Sequence, residues 1–228
     1  MNIYVGYDSR ESSAYDVCKF SLEQNTTHDI KITPLMLQQL RRAGTYTRPH
    51  DIKSSTEFTF SRFLVPYLQQ HTGWAMFCDC DFVWLDDVSK LFECCDDKYA
   101  VMVVKHDYTP KETVKMDGAA QEQYPRKNWS SMVLWNCDHQ ANQCVTPDLV
   151  NSQTGMFLHR FMWLDDHQIG EISHEWNWLT DWYDESTDGT PRALHFTQGG
   201  PWFEQYKHTK YAEVWNEYHH RYTQENNG

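Results

Sequence analysis

The stretch Trp74-Ala75-Met76-Phe77-Cys78-Asp79-Cys80-Asp81 decides the fold. Residues 74–78 are apolar without alternation, as in a strand buried on both faces, and such strands belong to parallel sheets covered by helices. The last three residues set two carboxylates at the strand's carboxyl end, where open α/β sheets bind their ligands. Side chains alternate along an extended chain, so Asp79 and Asp81 face one way and Cys78 and Cys80 the other. Paired carboxylates hold hard divalent cations, Mg²⁺ or Mn²⁺, and leave positions open for phosphate oxygens. The competing reading is a turn solvated by two aspartates, because Asp-x-Asp also arises often by chance.

Outward from this stretch, strand and helix patterns alternate. Residues 2–7 form a β-prone run, and Asp8 follows as a helix cap with Glu11 as its capping-box partner. Ala14, Val17, Cys18 and Leu22 recur at helical spacing. A strand at 30–33 ends at Pro34, a short helix covers 35–43 up to Gly44, and 45–53 is a polar loop. Ser54 opens a helical pattern with Glu57 at the capping-box position and a stripe of Phe60, Phe63, Leu64, Tyr67 and Leu68. Apolar strands are expected at 99–104 and 132–135. Thr146-Pro147 starts a helix, Phe157, Leu158, Phe161 and Leu164 mark another, and 193–197 is a strand. Tyr211, Val214, Trp215, Tyr218 and Tyr222 close the chain as an amphipathic helix. The pattern is α/β on a mostly parallel sheet, one domain over residues 1–222 with a polar tail at 223–228.

The 228 residues carry 20 Lys+Arg against 32 Asp+Glu, a net charge of −12. So acidic a chain repels phosphate backbones and anionic lipid surfaces, so no nucleic-acid partner is expected. Mean hydropathy is only −0.74, yet ten Trp, thirteen Tyr and eleven Phe supply a large apolar area with polar handles. The core is therefore aromatic-rich. No run approaches the length of a transmembrane segment, and Met1 leads into Ile3-Tyr4-Val5 without a charged leader, so neither a membrane span nor a signal peptide is expected. Seven cysteines, two of them adjacent at 94 and 95, read as reduced thiols of a cytoplasmic protein. Their spacing lacks the pairs of a structural zinc site. Phosphate-loop, dinucleotide, serine-hydrolase and zinc-protease motifs are missing from the sequence.

Three further places can carry chemistry. His195 lies in Leu194-His195-Phe196-Thr197-Gln198-Gly199-Gly200-Pro201-Trp202, where the glycine pair lets backbone amides approach an anion and a neutral imidazole can complete an O/O/N metal site. Arg62 sits among Phe58, Phe60 and Phe63, a costly position unless it meets an acid or a phosphate. His174-Glu175-Trp176-Asn177-Trp178 sets a carboxylate and an amide among indoles, a sugar-stacking surface or simply core. Each also has an ordinary structural reading.

The order of Gly6-Tyr7-Asp8, Phe60-Ser61-Arg62-Phe63-Leu64-Val65-Pro66, Asp79-Cys80-Asp81, Ser131-Met132-Val133-Leu134-Trp135-Asn136 and His195-Phe196 resembles that of GT-A fold glycosyltransferases, notably those similar to glycosyltransferase family 8. Tyr124 to Ser131 and Leu158-His159-Arg160-Phe161 also resemble small glycosyltransferase domains of bacteria and of large algal viruses, the chloroviruses. The resemblance runs from residue 3 to about residue 203. It implies a metal site of Asp79, Asp81 and His195 holding Mn²⁺ or Mg²⁺ on the diphosphate of a nucleotide-sugar, most simply a UDP-sugar. It places Gly6, Tyr7 and Asp8 at uracil and ribose, and Arg62 near the diphosphate. Ser130, Ser131 and Glu175, Trp176 and Asn177 fall at the transferred sugar, with Asp107 as a further sugar contact. Gly199 and Gly200 offer backbone amides.

Two departures stand out. The family's lysine within its Gly-Pro-x-Lys-Pro-Trp segment has no counterpart in Gly199-Gly200-Pro201-Trp202, so amides, Arg126 or Lys127 must supply that charge. Glu175-Trp176-Asn177 replaces an Asp-Gln-Asp segment, which leaves retention or inversion open; for inversion, Asp107 or Glu175 is the candidate base. The expected activity is metal-dependent transfer of a sugar to a glycan or other hydroxyl acceptor. A sugar-binding module stacking ligands on Trp129, Trp176 and Trp202, or a sugar nucleotidyltransferase, are the alternatives. The expected compartment is the cytoplasm, the host's for a viral chain.

Overall fold

A computed structural model describes residues 1–49, 54–106, 126 and 128–226. Its strands are β1 (Asn2–Tyr7), β2 (Lys31–Met36), β3 (Trp74–Cys78), β4 (Phe82–Trp84), β5 (Val101–Val103), β6 (Met132–Asn136), β7 (Ile169–Glu171), β8 (Trp178–Leu179) and β9 (Ala193–His195). The helices are α1 (Ser12–Gln24), α2 (Leu37–Arg42), α3 (Val65–Leu68), α4 (Ser89–Glu93), α5 (Pro147–Ser152), α6 (Gly155–His159), α7 (Glu185–Asp188) and α8 (Ala212–Asn226).

The expected α/β architecture is present. Six strands form one sheet in the order β2-β1-β3-β6-β5-β7. All are parallel except β6, which runs against both neighbours. β3 is central, and Ala75, Met76, Phe77 and Cys78 are fully buried, as an unalternating run requires. Ala14, Val17, Cys18 and Leu22 of α1 are buried together, and Thr146 caps α5 through its side chain.

Several boundaries differ from expectation. β2 does not stop at Pro34 but pairs it with Val5, because β2 is an edge strand and a missing N–H is tolerated there. The helix expected from Ser54 is a series of turns, a 3₁₀ turn at Ser61–Leu64 and the short α3. The Thr59 hydroxyl bonds the Thr56 carbonyl at 2.8 Å, an alternative to the helical ladder, and Pro66 brings no N–H. Tyr67 is consequently exposed rather than part of an apolar stripe. Glu57 accepts from the Ser9 hydroxyl at 2.7 Å instead of capping its own segment. The second-half helix stops at His159, and Phe161 turns to φ +49°. α8 runs on to Asn226, through most of the stretch that reads as a tail.

A second, small sheet is present, of which the sequence pattern shows only the strand expected at 193–197. β4, β9 and β8 form it in that order. β4 is its edge, and α1 covers that edge: the Trp84 N–H donates to Ser21 Oγ at 3.0 Å, and Asn25 Nδ2 donates to the Trp84 carbonyl at 2.8 Å. Among the described residues no helix is long and apolar enough to cross a membrane, and all seven cysteines are free.

Candidate functional site

The two sheets meet at residues 79–81, the connection from β3 to β4. Asp79 follows the last residue of β3, and its N–H donates to the Ser131 carbonyl at 2.9 Å. Asp81 precedes β4, and its carbonyl accepts from Phe196 N at 3.0 Å. β9 pairs His195 with Phe82 on one side and Leu179 on the other. The small sheet thus carries a histidine, distant in sequence, to the carboxylates at the end of β3. The His195 ring stacks on Phe82 with centroids 4.3 Å apart.

Asp79, Asp81 and His195 place one potential ligand atom each within 4.8 Å of one another. Among the described residues, Oδ1 of Asp79 and Oδ1 of Asp81 are buried without an aligned hydrogen-bond donor, although the Arg62 guanidinium lies against the first. His195 Nε2 lies 3.3 Å from Asp81 Oδ1. Two carboxylates converging with an imidazole nitrogen are the hard, mixed O/N set that Mn²⁺ or Mg²⁺ accepts, so the residues fit the expected ion. Burial pushes the Asp79 carboxyl up to about 7; the Arg62 guanidinium beside it opposes the rise and Asp81 adds to it.

Arg62 meets an acid, one of its two expected partners. Its Nη1 lies 2.7 Å from Asp79 Oδ1, near enough for an ion pair though without hydrogen-bond alignment, and donates to the Ser130 carbonyl at 3.0 Å. The guanidinium lies over the rings of Phe58 and Phe77, which explains how a charge sits in an aromatic stripe.

Gly6, Tyr7 and Asp8 lie at the end of β1, next to β3. A Cβ on Gly6 would stand 2.6 Å from the Phe58 ring, so only glycine admits that packing. Asp8 is fully buried; burial opposes its ionisation, but donors from Arg10 and the Glu57 N–H outweigh it and hold the carboxyl below its usual range. Tyr7 packs edge-on against Tyr15. Glu11 caps nothing. Its carboxylate accepts from Trp202 Nε1 at 3.1 Å and ties the β1–α1 turn to the glycine pair. Burial, with the charges of Asp81 and Asp8, pushes Glu11 up to about 7. Gly199 takes φ +120°, and a Cβ on Gly200 would lie 2.0 Å from the Trp202 ring. This glycine makes room for an indole of its own loop.

The remaining candidates divide. Asn177 is fully buried and bonded to His195 and Ser131. Ser130 Oγ bonds His159 Nδ1 at 2.7 Å. Glu175 pairs with Arg192, and the buried Trp176 lies under the same guanidinium, so neither side chain joins the carboxylate cluster. Arg126 is held by the Arg160 and Phe161 carbonyls and the Asp166 carboxylate. Asp107, Tyr124 and Lys127 lie outside the described residues. One further buried residue is not singled out by its sequence pattern. His106, at the end of the strand region before Asp107, is buried with Nδ1 2.8 Å from Tyr183 Oη. Burial, then repulsion from His195 and His174, lowers its pKa to about 3, so it is neutral. Its place after an apolar strand was the available signal.

No family model matches the chain. Over 96% of its length the fold aligns with the glycosyltransferase GlyE of Streptococcus pneumoniae TIGR4, with TM-score 0.63 and 16% identity, and the chain spans 59% of that protein. It aligns over 97% of its length with 96% of the galactosyltransferase LgtC, solved with donor and acceptor sugar analogues, at TM-score 0.55 and 12% identity. At these identities the likeness is one of fold, and the fold is the GT-A glycosyltransferase fold. Sequence gives a nearer relative. Protein CDI of Arabidopsis thaliana is 50% identical over 227 residues, which cover 98% of this chain and 88% of the relative. The chain therefore belongs to the family of Protein CDI.

Proposed function

We propose that the protein is a metal-dependent glycosyltransferase that moves a sugar from a nucleotide-diphosphate donor, UDP-linked in the simplest case, to a carbohydrate hydroxyl. The observation that carries this is the convergence of Asp79, Asp81 and His195, one potential ligand atom each within 4.8 Å, at the carboxyl end of β3. A bound Mn²⁺ or Mg²⁺ would supply Lewis-acid neutralisation of the charge that grows on the departing diphosphate. Asp79, Asp81 and His195 hold that ion, and Arg62 fixes Asp79 in place. Gly6, Tyr7 and Asp8 form the nucleoside end. The Gly199-Gly200 loop, braced on Glu11 through Trp202, presents its amides to the donor. GlyE and LgtC, both glycosyltransferases, support the reading through their shared fold. Seven free thiols suit a reducing compartment, and the cytoplasm is the proposed location.

The test is release of UDP from a panel of UDP-sugars with Mn²⁺ and with EDTA, for the wild type and Asp81→Ala. Removing one charge-stabilising group of this kind costs about 10²–10³-fold in turnover, and the variant is expected to lose that much while keeping its fold by circular dichroism. Turnover that ignores both EDTA and the substitution would contradict the metal site. Glycan binding without nucleotide would favour the sugar-binding module, and pyrophosphate release from UTP and a sugar phosphate would favour nucleotidyl transfer.

A further inference from the structure

Behind His195 runs a chain of buried hydrogen bonds that starts on a backbone carbonyl. Asn128 adopts φ +64°, a left-handed conformation that asparagine tolerates, and its carbonyl accepts from Ser131 Oγ at 2.7 Å. Ser131 Oγ accepts from Asn177 Nδ2 at 2.9 Å, and Asn177 Oδ1 lies 2.8 Å from His195 Nδ1. Ser131, Asn177 and His195 are 5%, 0% and 3% exposed, so bulk water does not compete for these bonds.

A carbonyl only accepts, and this fixes the direction of every bond in the chain. The single hydroxyl proton of Ser131 goes to Asn128. Ser131 Oγ must then receive a proton from the amide of Asn177, which turns that side chain's NH₂ toward serine and its oxygen toward histidine. An amide oxygen only accepts, so His195 carries its proton on Nδ1. In the neutral ring Nε2 is then left with a lone pair, 3.3 Å from Asp81 Oδ1. Metal-binding histidines are oriented by such partners on their second nitrogen.

We propose that Asn177 and Ser131 are positioning residues that lock His195 in the Nδ1–H tautomer and so present Nε2 to the cation. This gives two residues that fall at the transferred sugar by family resemblance a different task. Its consequence for affinity rests on the metal-dependent reading above, whereas the tautomer does not.

The test has two readouts. Long-range ¹H–¹⁵N NMR of the metal-free protein at about pH 8, where an ordinary imidazole is neutral, reports the His195 tautomer. Calorimetric titration with Mn²⁺ reports affinity. The wild type is expected to show Nδ1–H. Asn177→Leu should lose that preference and bind Mn²⁺ about 10–100-fold more weakly, the usual scale for such outer partners. Asn177→Asp keeps an acceptor facing Nδ1 and should retain both the tautomer and the affinity. Ser131→Ala frees the amide to flip and should introduce the Nε2–H form. If Asn177→Leu does not fold, the aspartate and Ser131→Ala variants carry the comparison. An Nε2–H imidazole in the wild type, or Asn177→Leu and Ser131→Ala proteins that match the wild type in both readouts, would overturn the relay. A wild type that shows Nδ1–H but binds no Mn²⁺ would instead overturn the metal reading and leave the relay standing.

Discussion

The two sheets divide the labour of the molecule. The six-stranded sheet is built from apolar strands whose central residues, such as Met76, Leu134 and Trp135, are fully buried and meet other apolar side chains. The three-stranded sheet has strands of only two or three residues, yet it borders three polar groups of the site: the half-buried Asp81 before β4, and the buried Asn177 before β8 and His195 ending β9. A large sheet gains stability from apolar area. A small one can place three side chains, far apart in sequence, around one point. Stability and chemistry are thus separable, and they join at residues 79–81.

That separation can be broken by substitution. Trp135→Ala, in the large sheet, should cost about 4 kcal/mol in urea unfolding, the ordinary range for a fully buried aromatic. A loss below about 1 kcal/mol, a minor effect for a core site, would show that the large sheet is not where the folding energy resides. Arg62→Leu, at the junction, removes the cation beside Asp79 and should cost about 3 kcal/mol near pH 8, where the carboxylate must either stay buried without its partner or take up a proton. Added Mn²⁺ should restore part of that loss, because a ligand that binds only the folded state stabilises it. An unchanged midpoint without metal would mean that Asp79 does not depend on Arg62.

The smallest effect belongs to Glu11. Its carboxyl stands at about 7 in the fold against a usual 4.5, so the folded chain holds the proton more tightly than the unfolded one. Stability is therefore fullest below about 4.5 and is lost as pH rises through about 7. Glu11→Gln keeps an acceptor for Trp202 and removes the charge. It should stabilise the metal-free protein by about 2 kcal/mol near pH 8 and by almost nothing near pH 4. Equal thermal shifts at both pH values would sink this reading of Glu11.

The same contrast explains what could be read from sequence. β1, β3 and β6 were legible because unbroken apolar runs have few other uses, and Asp79, Asp81 and His195 because they stand at strand ends. Of the small sheet only β9 was legible, as the strand expected at 193–197; two residues at Trp178 and Leu179 show no period. Glu11 was misread because Asp-x-x-Glu is also a capping-box spacing, and nothing local announces an indole 191 residues away. Pro34 looked like a strand end because an edge position is invisible until strand order is known. Asn177 could be singled out but its partners could not, since Ser131 and His195 reach it only through tertiary pairing.

The central claim is a metal-dependent nucleotide-sugar site, and calorimetric titration of UDP in Mn²⁺ and then in EDTA tests it most directly. Binding in Mn²⁺ that disappears in EDTA, and that is stronger for UDP than for GDP or CDP, is the predicted result. A folded sample that binds none of the three in either buffer would contradict the claim.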